Sequence, residues 1–170
     1  MAWDAVCAGA RGLVFFGGHL TRAGDRPLTK QRDIAHGWNW TFWEDVLRRL
    51  VRELSAGGLA HPLLVAPASR LAAQVHLADG LGHVTGTVPK DVRVLVRETP
   101  TAVFLVLLKR GGSATVRVQV ALPGQRLRAR GYVLGEEPRM VDTVALPGGG
   151  SAFLDWLAPW DVHVYKIGKA

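Results

Sequence analysis

After a connecting stretch at residues 63–73, turn signals interrupt the chain every eight to twelve residues, a spacing that leaves room for short strands and little else. The signals are Asp79-Gly80, Pro89, Thr99-Pro100, Gly111-Gly112, Pro123-Gly124, Gly135-Glu136-Glu137-Pro138 and Pro147 to Gly150. Between them lie seven β-type runs, at residues 92–97, 102–109, 115–122, 129–134, 140–146, 152–157 and 162–167. Thr115-Val116-Arg117-Val118-Gln119-Val120 alternates strictly, as a strand with one wet face should. Ala102 to Leu108 is apolar throughout and reads as a buried strand. Short strands in this number and spacing predict an antiparallel β-sandwich over residues 61–170. Gly111-Gly112 is the expected hairpin turn between two strong strands. Residues 63–73 read as a connection, and Gly148-Gly149-Gly150 as a flexible turn.

Residues 1–60 have another texture and form a separate strand–loop–helix segment. Leu13 to Phe16 is a continuous apolar run, as in a parallel strand covered on both faces, and Gly17-Gly18 ends it. A polar, turn-rich loop follows over residues 17–37. Thr41 and Glu44 then have the capping-box spacing, in which each side chain satisfies a free backbone N–H. Trp43, Val46, Leu47, Leu50 and Leu54 recur at helical spacing, with Arg48, Arg49 and Arg52 on the other side and Gly57-Gly58 as the stop.

Composition narrows the function classes. The net charge of +7 invites phosphate binding. The basic residues, however, alternate with apolar ones, as in Arg93-Val94-Leu95-Val96-Arg97 and Arg126-Leu127-Arg128-Ala129-Arg130, which places them on wet strand faces. No nucleic-acid partner is therefore expected. No window reaches the roughly 18 apolar residues of a membrane span, so no membrane partner is expected either. The N-terminus lacks the basic start of a signal peptide. A single cysteine, Cys7, excludes an intrachain disulfide and a cysteine-based zinc site.

Several of these pieces, in order, resemble a family pattern. Trp3 with Gly9-Ala10-Arg11-Gly12-Leu13-Val14-Phe15-Phe16 is similar to the last barrel strand of many TIM-barrel glycoside hydrolases. Trp38-Asn39-Trp40, the helix and Leu63-Leu64-Val65-Ala66-Pro67 look like the exit from that barrel into a C-terminal β-sandwich. Residues 93–97 and 102–109 resemble the sandwich's first hairpin. Phe153-Leu154-Asp155 through Val162-His163-Val164-Tyr165 is similar to its close. The fold implied is mainly β, an antiparallel β-sandwich preceded by one βα unit like the end of a TIM barrel. In such enzymes about seven further strand–helix units, on the order of 200 residues, carry the catalytic carboxylates. The resemblance thus implies a C-terminal portion or truncated homologue, with no catalytic residue of its own. The alternative is a stand-alone carbohydrate-binding module, or an oligomer-forming one whose uncovered edges pair with another copy.

The candidate site residues follow from that placement. Trp38 and Trp40 would lie at the mouth of such a barrel, where flat indoles stack on sugars, and His19 would point at the same mouth. Carbohydrate is the expected ligand, and the expected protein partner is another copy or the barrel portion. Glu136-Glu137 sits in a turn, and Glu44 and Asp45 complement the helix dipole, so neither pair reads as catalytic. His163 alternates with Val162 and Val164 and reads as a hydrogen-bonded sandwich histidine. Trp156 and Trp160 read as packing residues. No His-x-x-x-His spacing on a helix, no tight histidine–carboxylate cluster beyond Asp33-x-x-His36, no phosphate-binding glycine loop and no nucleophile elbow is present, so neither metal nor cofactor is expected.

Overall fold

Eight consecutive residues buried on both sides, Ala102–Lys109, form the central feature of the fold. The computed structural model describes residues 2–14, 22–23, 26–27, 43–56, 59–125, 127–134 and 139–169. It divides into two compact units, residues 1–12 with 61–170, and residues 13–60.

The larger unit opens with α1 (Ala2–Cys7) and a helical turn of the π type at His61–Val65. Ten strands follow: β3 (Gln74–Ala78), β4 (Val84–Thr87), β5 (Val92–Glu98), β6 (Ala102–Lys109), β7 (Val116–Pro123), β8 (Leu127–Leu134), β9 (Arg139–Asp142), β10 (Val144–Ala145), β11 (Gly150–Leu157) and β12 (Val162–Lys169). They make two five-stranded sheets, ordered β10-β11-β7-β3-β4 and β5-β6-β12-β8-β9, with every pairing antiparallel. The chain is thus mainly β. One core joins the sheets: Val103, Leu105 and Leu107 of β6 and Tyr165 and Ile167 of β12 cluster with Val118, Val120 and Leu122 of β7 and Phe153 of β11.

Alternation explains most strands. In β7 the residues at 118, 120 and 122 join the core, while Arg117 and Gln119 point outward. β6 does not alternate because its outer residues Phe104, Val106 and Leu108 are buried as well. α1 packs against β5 and β6, with Val6 buried, and the Asp4–Arg110 ion pair at 3.3 Å ties α1 to the end of β6. The partly covered Cys7 thiol is pushed up to about 11, first by burial and then by the Asp4 charge.

Several sequence expectations need correction. Residues 2–7 are helical rather than part of a run into a strand, and a Schellman cap ends the helix. Ala10 N–H donates to the Ala5 carbonyl and Gly9 N–H to the Val6 carbonyl, both at 2.9 Å, with Gly9 in the left-handed region (φ 99°). Leu13 and Val14 form no strand, and Val14 is 77% exposed where a doubly covered strand would bury it. Phe15 and Phe16 lie outside the described residues. Gly111-Gly112 is no hairpin turn, because β6 and β7 belong to different sheets and the segment carries the chain across. Buried Lys109 pins that crossover, reaching Asp91 Oδ2 at 2.9 Å and the Gly111 carbonyl. β3 and β4 were not foreseen; both are short and mostly half-exposed or exposed. Arg97, expected on a wet face, is 3% exposed, because the chain around Ala68 bridges onto β5 and covers it.

The smaller unit holds β1 (Arg22–Ala23) paired with β2 (Arg26–Pro27), a π-helical turn at Trp43–Leu47, and α2 (Arg48–Ala56). Leu54 is buried and Leu47 and Leu50 are half-buried while Val51, Arg49 and Arg52 are exposed; Trp43, expected in the same apolar stripe, is 40% exposed. Glu44 pairs with Arg48 at 2.6 Å across one turn. Thr41, its supposed capping partner, and Gly57-Gly58 lie outside the described residues. Among the described residues, no helix is long and apolar enough to cross a membrane.

Gly150 starts β11 at φ 100°, and a Cβ there would lie 2.5 Å from the Leu122 carbonyl oxygen and 2.8 Å from the Gly124 nitrogen. Gly148 also has positive φ (87°) but open space around it. Gly150→Ala should therefore cost about 2–4 kcal/mol, from strain plus backbone displacement. Gly148→Ala should cost about 1 kcal/mol, from strain alone. Urea unfolding of the two variants checks this; equal losses would show that the close approach at Gly150 is unimportant.

Candidate functional site

The densest polar cluster among the described residues lies between the sheets, at Asp155 of β11. Phe153 and Asp155 are two residues apart and share a strand face, and Phe153 belongs to the core. His163 and Tyr165 of β12 have the same relation across the interior, so a carboxylate, an imidazole and a phenol converge inside an otherwise apolar space. Phe153 packs on the Tyr165 ring with centroids 4.7 Å apart. The side chain of Asp155 is 5% exposed and that of His163 4%.

Asp155 is satisfied from several directions. Tyr165 OH donates to Oδ2 at 2.7 Å, and His163 Nδ1 lies 3.2 Å from the same oxygen. Arg139 Nη2, from β9, reaches Oδ1 at 2.6 Å and Oδ2 at 2.5 Å. The Trp156 N–H donates to Oδ1 at 2.8 Å. His163 Nδ1 is also 3.1 Å from Tyr165 OH, and its Nε2 lies 3.6 Å from Asp161 Oδ2. With Tyr165 donating to the carboxylate, the imidazole proton on Nδ1 can be shared between Asp155 and the phenolic oxygen.

The electrostatics follow from this geometry. Burial alone would raise the Asp155 pKa, since it penalises the charged form. The hydrogen bonds from His163, Tyr165, Arg139 and the Trp156 amide outweigh burial and hold the carboxyl well below the usual carboxylate range. An enclosed carboxylate held ionised at neutral pH cannot serve as a general acid there, because that role needs a raised pKa. What the arrangement does is join β11 of one sheet to β9 and β12 of the other through one anion.

The histidine at 163 is buried and hydrogen-bonded, in keeping with its alternating position. Its partner Asp155 was not singled out in the sequence. The available signal was an Asp at an inward position of a strand, two residues after Phe153, where a buried carboxylate requires donors. His19, Trp38 and Trp40 lie outside the described residues, as do Glu136 and Glu137. Trp156 and Trp160 are not core residues: they are 54% and 74% exposed. Trp156 occupies the outer face of β11, opposite Arg117 of β7, whose guanidinium carbon lies 5.5 Å from the indole centroid. Trp160 sits in the turn between β11 and β12, where its ring lies against Gly111.

Two further features bear on chemistry. In the loop after β3, Asp79 Oδ1 accepts the backbone N–H of Leu81 at 2.8 Å and of His83 at 2.9 Å, which makes it a turn-forming residue. A cleft of about 530 Å³ lies beside Pro67, Ser69, Thr99 and Lys169, where Glu98 accepts from Ser69 at 3.2 Å and pairs with Lys169. Among the described residues, no group of three or more His, Cys, Asp or Glu side chains is arranged to hold a metal ion.

Compared with known proteins, the chain matches no family model, no curated protein and no solved structure.

Asp155→Ala should destabilise the protein by about 3–5 kcal/mol, since it leaves Arg139, His163 and Tyr165 without their shared acceptor. Tyr165→Phe should cost about 1–2 kcal/mol. Denaturant unfolding checks both, and a loss under 1 kcal/mol in Asp155→Ala would contradict the clasp. The pH dependence has a definite sign. Because the folded pKa of Asp155 is depressed, its stabilisation is fully present above the unfolded carboxylate pKa of about 3.9 and is lost as pH falls toward the folded value. The wild type should therefore lose stability faster than Asp155→Asn below about pH 4, in a series of melts from neutral pH downward.

Proposed function

We propose that this chain is the C-terminal portion of a glycoside-hydrolase-like protein, with residues 61–170 a β-sandwich that serves as an accessory, non-catalytic domain. One observation carries the reading. The closing sequence that most resembles such domains, Phe153-Leu154-Asp155 with His163-Val164-Tyr165, forms a buried inter-sheet clasp. A carboxylate that would invite a catalytic interpretation is thereby committed to holding the fold. Two facing antiparallel sheets with one core, and the pairing of β5 with β6, are consistent with the sandwich architecture and its first hairpin. In this reading the acid/base and nucleophile groups belong to barrel strands that this chain does not contain.

A second reading, a module that contacts carbohydrate, is favoured by the exposed indole of Trp156. Beside it on the outer face, Gln119 of β7 aligns with His76 of β3, and His76 with Thr87 of β4. An indole offers a flat apolar surface to a sugar face, and amide, imidazole and hydroxyl groups suit its hydroxyls.

Purified chain incubated with a panel of aryl glycosides should release no more aglycone than buffer does. Turnover that disappears in Asp155→Asn, in protein shown to be folded, would overturn the accessory reading. Retention on insoluble polysaccharide that falls at least tenfold in Trp156→Ala would decide for the second reading.

A further inference from the structure

Beside the Thr99-Pro100 turn lies the cleft of about 530 Å³, which shares no lining residue with the Asp155 clasp. A volume of that order falls within roughly 300–1,000 Å³, the usual span of small-molecule sites. Its lining has two kinds of chemistry. The segment that leaves the helical turn at His61–Val65 presents Val65, 67% exposed, and Pro67. Glu98, the last residue of β5, and Lys169, the last of β12, bring an ion pair to the same cleft, which Ser69 and Arg70 also line.

The apolar wall is fixed at several points. Arg11 Nη1 donates to the Leu64 carbonyl at 3.1 Å and to the Ala66 carbonyl, and Arg97 Nε donates to the Leu63 carbonyl at 3.4 Å. Ala68 bridges onto Arg97 through the backbone. Ser69 Oγ donates to Glu98 Oε2 at 3.2 Å and accepts the Leu71 N–H at 2.9 Å. A wall tied in this way is preformed, so little ordering cost falls on a ligand that enters.

The hydrogen-bonding capacity left in the lining selects the ligand. Thr99 Oγ1 is spent on the backbone of Ala102, and Ser69 on Glu98 and Leu71. Glu98 accepts from Lys169 at one oxygen and from Ser69 at the other, which leaves a lone pair on each, and its side chain is 31% exposed. The hydrogen bond from Lys169 holds the Glu98 carboxyl below its ordinary range, so it stays an acceptor. The Lys169 ammonium has three N–H donors and gives one to Glu98. Donor and acceptor side by side suit neighbouring hydroxyls, because each hydroxyl both donates and accepts. Arg70 is exposed and makes no ion pair with a described carboxylate. Its planar fork matches a carboxylate bidentately. We infer that this cleft binds a small hydroxylated carboxylic acid of monosaccharide size. The acid group meets Arg70, two of its hydroxyls meet Glu98 and Lys169, and its C–H face lies on Val65 and Pro67. The site stands independently of both functional readings, since neither the clasp nor Trp156 lines it.

The test titrates the whole chain with glucuronate, glucose and acetate at constant ionic strength and follows the backbone amide signals by NMR. Glucuronate should shift the Ser69, Arg70, Glu98 and Lys169 amides saturably, with a dissociation constant of about a millimolar for a ligand of this size. Glucose, which lacks the carboxylate, and acetate, which lacks the hydroxyls, should each bind about tenfold more weakly. Arg70→Gln should bring glucuronate down to the affinity of glucose and leave glucose unchanged, which separates a lost charge from a lost fold. Glu98→Gln should weaken glucuronate and glucose alike, by about fivefold. The site is overturned if these amides show no saturable shift, or if glucose or acetate binds as tightly as glucuronate. It is equally overturned if glucuronate binds Arg70→Gln as it binds the wild type. Should Glu98→Gln disturb the segment that Ser69 ties to it, the wild-type titration and the surface variant Arg70→Gln decide alone.

Discussion

A carboxylate placed between two apolar sheets must be hydrogen-bonded on several sides, or it drives the sheets apart to reach water. Asp155 meets that condition with donors from both layers: Tyr165, His163 and Arg139 from the β5–β9 sheet, and the Trp156 amide from its own strand. Because these donors are directional, they also constrain how the sheets sit on one another. Apolar side chains such as Val118 and Leu105 would tolerate small slides; a four-donor anion would not. The core supplies most of the burial, and the clasp restricts the registers in which that burial is compatible with a satisfied Asp155.

The same physics viewed from the opposite sign explains Arg97. Asp155, between the sheets, and Arg97, on the outer side of β5, are buried to a similar degree, at 5% and 3% exposure. One is surrounded by donors and is held ionised; the other donates to the Leu63 carbonyl and has a like charge nearby. A fold that neutralises Lys109 with Asp91 and Glu98 with Lys169 has the means to compensate its buried and half-buried ions.

Much of the strand pattern could be read from the chain. Alternation in Val116–Pro123 and the unbroken apolar run of Ala102 to Leu108 correspond to real strands, since the period-2 rule operates locally and each pattern reports its own burial. β3 and β4 escaped because Gln-Val-His-Leu-Ala and Val-Thr-Gly-Thr carry little apolar contrast, and their place is secured by pairing with β7 and with each other. The helix at Ala2–Cys7 escaped because Gly9 fits two roles, a C-cap and part of a family-like run, and six residues are too few for periodicity to choose. His163 was legible as a bonded interior histidine. Asp155 was not legible as its partner, since the two are joined across sheets and not along the chain.

By itself, the sequence determined most of the strand pattern from residue 92 onward, which faces are apolar, and that Lys and Arg are interleaved with core residues. These are properties of neighbours along the backbone, set by turn chemistry and by side-chain alternation. Only the tertiary structure decided that Gly111-Gly112 carries the chain between sheets instead of folding it into a hairpin, that the Trp156 and Trp160 indoles face solvent, and that Arg97 is covered while Arg93 stays exposed. Two arginines at identical positions in the alternation differ because residues 63–68 fold back over one end of β5, and burial is fixed by what the rest of the chain lays on top.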